Sequence, residues 1–224
     1  MTDPRTLPDA VIFDMDGLLV DTETCDYHAW LELHQAHGLE LTLPDYCHHA
    51  GLYGSWDRMY AAVAAHSGVP ADQLHARREP RFRELVSACL EPSPELLRLL
   101  GELKENQVRR GIASSSDSDW VAYLLEGTGL RSYFEVVATG HDVAHRKPAP
   151  DVYLLAAERL KVDPKRCVAL EDSCHGIAAA QAAGMRVIAI PNLVSAHQDL
   201  SAADARVEHF GDVTLEMLSR LVTP

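Results

Sequence analysis

Residues 11–23 read Val11-Ile12-Phe13-Asp14-Met15-Asp16-Gly17-Leu18-Leu19-Val20-Asp21-Thr22-Glu23. A short apolar run predicts a buried strand, and it stops at two acids one residue apart, followed by glycine. Side chains two apart on extended backbone point the same way, so Asp14 and Asp16 can face one centre. Gly17 allows a turn or close approach that a Cβ would hinder. Two carboxylates so placed repel, and burying them is costly unless something compensates. The plain explanation is a strand ending at the surface. The alternative is a cation held between the acids.

Further along, the same pattern recurs. Beyond about residue 90, β-type runs alternate with helical ones, which predicts an α/β protein with a parallel sheet. The other strand candidates are residues 109–114, 134–138, 167–170 and 186–190, with the first at 10–14. Ser93-Pro94-Glu95 reads as a helix cap followed by proline at the first helical position. Pro150 and Asp151 open a second such helix. Residues 20–87 carry helical spacings only (Trp30, Leu31, Leu33, Met59, Tyr60, Val63), so they read as a helical insertion after the first strand. The expected domains are a core of 1–19 with 88–224 and a cap of 20–87.

Strand ends carry the chemistry. Gly111 to Ser116 is an apolar strand ending in hydroxyls before a helix, a pattern suited to an anion (Ser114, Ser115, with Ser116 a further candidate). Lys147 sits in the loop before another helix. Val168-Ala169-Leu170-Glu171-Asp172 is a second apolar strand ending in two acids. In an open parallel sheet, ligands bind at the carboxyl ends of the strands. Oxygen-only ligands suit a hard cation such as Mg²⁺.

Asp14-Met15-Asp16-Gly17, Ser114, Lys147-Pro148 and Glu171-Asp172-Ser173 with Gly176, in this order, resemble the haloacid dehalogenase superfamily. Lys147 to Asp151 and Glu171 to Met185 look like its branch of β-phosphoglucomutase and sugar-phosphate phosphatases. The resemblance covers nearly the whole chain. It implies a five-stranded Rossmann-like core with a small helical cap, and a Mg²⁺-dependent phosphatase acting on a small phosphomonoester such as a sugar phosphate. It makes Asp14 the nucleophile that forms an aspartyl-phosphate, and Asp16 the general acid and base. It gives Mg²⁺ to the carboxylates of Asp14 and Asp172 and the backbone carbonyl of Asp16, with Glu171 either a ligand or an acid behind them. Ser114, Ser115 and Lys147 would hold the phosphate, and a cis Lys147–Pro148 peptide would aim the lysine inward. Asp21, Thr22 and Arg58 are the candidates for contact with the substrate from the cap side, although Asp21 reads equally as a helix cap.

A carboxylate approaching a phosphate dianion needs that positive charge. At about 4 Å, each unit-charge repulsion is about 4 kcal/mol at an effective dielectric of about 20, so roughly 8 against a dianion.

Other family reactions fit less well. Dehalogenation needs neither the metal nor the second acid. Phosphonate hydrolysis uses a cap lysine, yet the lysines are Lys104, Lys147, Lys161 and Lys165, none within 20–87. Mutases of the branch carry a histidine where this chain has Asp26, and hold a second phosphate with basic cap residues. Arg58, Arg77, Arg78, Arg81 and Arg83 keep that alternative open. A phosphoacceptor regulatory module shares strand-end acids, hydroxyl and lysine, but has no helical insertion.

Composition narrows the setting. The chain has 224 residues, 47% hydrophobic, with Lys+Arg 20 against Asp+Glu 33 and a net charge of −13. That balance argues against nucleic acid or an anionic membrane as partner. Five cysteines without metal-type spacing, no leader and no membrane-length apolar run predict a cytoplasmic protein, as a monomer or small homo-oligomer. His34, His37, Cys47, His48 and His49 match no common zinc spacing. Trp30, Trp56 and Tyr60 read as core of the insertion rather than as a sugar-stacking platform.

Overall fold

The structure, a computed structural model, describes residues 7–47 and 55–223. Strand β1 (Ala10–Phe13) is followed by four helices, α1 (Thr22–Ala36), α2 (Leu43–Cys47), α3 (Ser55–Ser67) and α4 (Ala71–Ala88). The chain continues through α5 (Pro94–Glu105), β2 (Arg109–Ala113), α6 (Ser118–Thr128), β3 (Val136–Ala138), α7 (Asp151–Leu160), β4 (Cys167–Glu171), α8 (Cys174–Ala182), β5 (Arg186–Ala189), β6 (Ala205–Arg206) and α9 (Leu215–Val222). All strand pairs are parallel, in the order β3-β2-β1-β4-β5-β6.

β1 is buried throughout because helices cover both faces, which is why it reads as an unbroken apolar run. Its alternate residues serve different layers. Val11 and Phe13 join an apolar cluster with Leu96, Leu99 and Leu103 of α5, Leu124 of α6 and Leu218 of α9. Ala10 and Ile12 join one with Val152, Tyr153 and Ala156 of α7 and Ile177 of α8. At α5 the expected cap is present: Ser93 Oγ accepts from the Leu96 amide at 3.1 Å.

A sixth strand, β6, was not expected. It has two residues, one half-buried and one exposed, so no apolar run announces it.

Helices α1–α4 build a separate apolar cluster around Trp30, Tyr46, Tyr60, Val63 and Leu74. Val194, from the loop after β5, is buried in the same cluster. Among the described residues, no helix is long and apolar enough to cross a membrane.

Strand order decides where a ligand goes. From β1 the chain moves outward to β2 and β3, then returns across β1 to β4. The crevice at that reversal lies over the carboxyl ends of β1, β2 and β4.

Candidate functional site

Asp14 directly follows β1, and its amide still donates to the Leu170 carbonyl of β4 at 3.0 Å. Glu171 ends the neighbouring strand β4, and Asp172 follows it directly. Carboxylate oxygens of Asp14, Glu171 and Asp172 therefore lie within 4.8 Å of one another, and all three residues are buried. Lys147 Nζ meets this group directly, bonded to Asp14 Oδ1 and 2.6 Å from Glu171 Oε1. The Lys147–Pro148 peptide is cis, as anticipated.

Electrostatics at this spot are lopsided. Burial, with Glu171 and Asp16 adding to it, pushes the Asp14 carboxyl up to about 8 despite the opposing pull of Lys147. Burial together with the charges of Glu171 and Asp14 drives Asp172 well above the usual carboxylate range. Burial works against the charge of Lys147, but Asp14 and Glu171 outweigh it and hold the ammonium protonated. Three acids against one ammonium leave the cluster short of positive charge. Such a buried, oxygen-only donor set suits a hard divalent cation.

Glu171 is fully occupied. Its Oε1 accepts from Lys147 Nζ and from Tyr153 Oη at 2.7 Å, and its Oε2 from the Asp172 amide at 3.2 Å and Ser173 Oγ at 3.3 Å. A Cβ on Gly176 would stand 1.9 Å from this carboxyl group, so α8 needs glycine there. Gly17 is similarly confined: its φ is +82°, and a Cβ would fall 2.5 Å from Asp172 Oδ2.

The Asp16 side chain is not in that trio. Its Oδ1 accepts from Trp120 Nε1 at 2.7 Å and Thr22 Oγ1 at 3.1 Å, and its Oδ2 from Ser116 Oγ at 2.7 Å and Ser114 Oγ at 3.3 Å. The loop after β2, helix α6 and the start of α1 thus fix one carboxylate from three directions. Both aspartates line a cavity of about 200 Å³ with Ser114, Ser115, Lys147 and Asp172. Ser115 Oγ also accepts from the Lys147 amide at 3.2 Å, tying the lysine loop to β2.

A second cavity, of about 450 Å³, lies between the helical insertion and α6. It shares Asp16, Glu23 and Ser116 with the first, so Asp16 stands at their junction. Thr22 lines this second space. Asp21 caps α1, accepting from the Thr24 amide at 3.0 Å, and lines neither cavity. Arg58 is exposed on α3 and also lines neither.

The aromatic residues divide. Trp30 is core, with no exposed surface, whereas Trp56 and Tyr60 both pack in the core cluster and line the second cavity. The reading of all three as core alone is therefore incomplete. Of the histidine–cysteine group, His34 Nδ1 lies 2.8 Å from the Trp30 carbonyl oxygen, while His48 and His49 lie outside the described residues.

Residues without a motif complete the site: Tyr153, Trp120, Asn192 and Glu23. Glu23 is half-buried, and burial, followed by the charges of Asp16, Asp14 and Asp21, pushes its carboxyl up to about 7. An acid in the first turn of a helix reads as ordinary dipole complementation, so its place between the cavities left no trace in the sequence.

Comparison with known proteins agrees with this geometry. The family model for haloacid dehalogenase-like hydrolases matches residues 8–184. The fructose-1-phosphate phosphatase YqaB of Escherichia coli is 38% identical over 182 residues, covering 80% of this chain and 94% of that protein. A crystal structure of a CbbY mutant from Rhodobacter sphaeroides in complex with xylulose-(1,5)bisphosphate superposes with a TM-score of 0.68 at 28% identity, covering 92% of this chain and 96% of that one. A HAD family hydrolase from Deinococcus radiodurans, crystallised with phosphate and sodium, reaches a TM-score of 0.78 at 28% identity, covering 98% and 99% of the two chains. This chain belongs to the haloacid dehalogenase-like hydrolase family, among its phosphoric monoester hydrolases.

Proposed function

We propose that the protein is a Mg²⁺-dependent phosphatase that hydrolyses a small sugar-type phosphomonoester through a phosphorylated Asp14. The observation that carries this reading is the buried trio Asp14, Glu171 and Asp172 with Lys147 against it. Asp14 and Asp172, with the backbone carbonyl of Asp16, would hold Mg²⁺. Bound there, the ion would supply the positive charge against which an anionic oxygen can approach phosphorus.

Asp14 attacks the phosphorus, and the ester oxygen leaves. Lys147 neutralises charge on both Asp14 and the phosphoryl oxygens. Glu171, with both oxygens engaged, aligns Lys147. Asp16 stands where the cavities join, so it protonates the departing oxygen and then takes a proton from the water that cleaves the acyl-phosphate. Ser114 and Ser115, with the amides ahead of α6, border the phosphate side. Residues 20–87 act as a cap over the leaving group, and the protein works in the cytoplasm.

The mutase alternative has less support. Its second phosphate needs an uncommitted cap cation, and the buried Arg78 is already paired with Asp26. The test is phosphate release from a panel of monoesters, with and without Mg²⁺, by the wild type and Asp14→Asn. Turnover that needs Mg²⁺ and vanishes in the variant is expected. Retained turnover in Asp14→Asn would overturn the scheme.

A further inference from the structure

Resting on the phosphatase reading, we infer that the cavity beyond Asp16 takes the uncharged, hydroxyl-bearing part of a monophosphate and turns away a second anionic group. Three observations lead there, and the first is charge. Besides Asp16, the carboxylates Glu23, Asp26, Asp57 and Glu79 line this space, against one arginine, Arg78, and one histidine, His75, among the described residues. Arg78 is 7% exposed, and its Nη2 is engaged by the Asp26 carboxylate. Its guanidinium sits 4.5 Å from the Trp30 ring centre, so its charge is matched by Asp26 while Nε stays without a partner among the described residues. Two further arginines of α4 are paired, Arg81 Nε 2.7 Å from Glu32 and Arg83 Nε 2.7 Å from Glu79, while Arg58 and Arg77 are exposed and do not line the cavity. Among the described residues, a second phosphate would meet those four carboxylates, with His75 the one basic side chain of the lining besides Arg78.

The second observation is a pair of orphans. Tyr60 Oη and Arg78 Nε are buried polar atoms with no hydrogen-bond partner among the described residues. Both residues line the cavity, and both side chains are more than nine-tenths buried. Buried donors left unmade are costly and call for a partner. A ligand hydroxyl answers them well: it accepts from the Arg78 N–H and donates to a carboxylate such as Glu79 or Asp57 in the same contact. A carboxylate or phosphate on the ligand can only accept.

The third is the wall. Trp56, Tyr60, Phe82 and Trp120 surround those polar groups with aromatic surface, against which the C–H faces of a sugar or polyol pack. Phe82 and Trp120 stack across the insertion and the core, with ring centres 5.6 Å apart. Aromatic walls, acceptor carboxylates and two waiting donors describe a neutral polyol, not a second anion. The CbbY mutant noted above was crystallised with a bisphosphate, and this cavity predicts the opposite preference.

The experiment compares kcat/KM of the full-length protein with Mg²⁺ for two pairs: fructose 1-phosphate against fructose 1,6-bisphosphate, and glucose 1-phosphate against glucose 1,6-bisphosphate. Acetyl phosphate, whose leaving group is too small to use the cavity, reports the phosphoryl-transfer site alone. At least about tenfold preference for the monophosphate of a pair is expected. Asp26→Asn, which releases Arg78, should narrow that preference at least about threefold, chiefly through KM of the bisphosphate. Tyr60→Phe should raise KM for the monophosphate by about fivefold. Equal or better use of the bisphosphates overturns this inference alone, as does acetyl phosphate turnover with neither monophosphate accepted. Inactivity towards acetyl phosphate and every ester overturns the phosphatase reading, and this inference with it.

Discussion

Asn192 Nδ2 lies 2.8 Å from Asp172 Oδ2, and the same nitrogen donates to the Gly17 carbonyl oxygen at 3.0 Å. One amide thus joins the ends of β4 and β1 from the loop that follows β5. Its own orientation is set by the Val194 and Ser195 amides, which donate to Asn192 Oδ1 at 2.8 and 2.9 Å. Partners that orient a metal-binding carboxylate typically change affinity by about 10–100-fold when removed. Asn192→Ala should therefore weaken Mg²⁺ binding at least about tenfold by titration calorimetry while the circular dichroism spectrum holds. Unchanged affinity would show that Asp172 is positioned without it.

Two glycines allow a test of packing against backbone strain. Gly38 has φ +71° with nothing near a new Cβ, so Gly38→Ala meets only left-handed strain, about 1–2 kcal/mol. A Cβ at Gly176 would instead occupy the space of the Glu171 carboxyl group. That carboxyl cannot retreat without releasing Lys147 and Tyr153. Gly176→Ala should lower Tm further than Gly38→Ala and also cut activity, since Lys147 loses its alignment. An equal or smaller shift in Tm would mean that Glu171 has another place to go.

How much of this the amino acids reveal depends on how far each contact reaches along the chain. β1 and β4 are legible because a strand covered on both faces must be apolar throughout. Asp14, Asp16, Glu171 and Asp172 are legible because acids that interrupt such a run demand an explanation. Lys147 stands out as one of only four lysines, placed just before a helix. Trp120, by contrast, sits in α6 and becomes the partner of Asp16 only once residues 104 positions apart meet. Tyr153 has the spacing of a core residue in α7, and its hydroxyl finds Glu171 only across the sheet layer. Asn192 belongs to a loop without any pattern. Local periodicity tells where a side chain is buried, whereas these roles depend on which other element it is buried against.

The raised carboxyls carry a pH dependence whose sign can be worked out. Asp14 is held up at about 8 and Glu23 at about 7, against about 3.9 and 4.3 for unfolded chains. Between about pH 4 and 8 the folded protein therefore keeps protons that the unfolded chain has lost. Stability of the metal-free protein should fall as pH rises through that window. On the proposed site, Mg²⁺ displaces the Asp14 proton when it binds, so its affinity should rise with pH. Melting curves at pH 5.5 and 8 should show a lower metal-free Tm at pH 8 and a larger gain from Mg²⁺ there. Calorimetry in buffers of different ionisation enthalpy should detect proton release on binding. A metal-free Tm that climbs between these two pH values would contradict the assignment.

Trp120 provides the sharpest test of how Asp16 is held. Its indole N–H reaches Asp16 Oδ1 at 2.7 Å, while its ring stacks on Phe82 and on Tyr123, with centres 5.6 and 5.5 Å away. Trp120→Phe retains an aromatic ring in that stack and removes the donor. A hydrogen bond to a charged group is worth about 1.5–3 kcal/mol, and its loss leaves the carboxylate held only by Thr22, Ser114 and Ser116, less firmly aligned at the junction between the cavities. If Asp16 moves the proton of the leaving group, the variant should lose at least about tenfold in kcat with KM changed less than about twofold. The loss should shrink for esters whose leaving alcohol is acidic and needs little protonation, such as p-nitrophenyl phosphate. A uniform loss across leaving groups would assign Trp120 to packing, and a change confined to KM would place it in substrate binding instead.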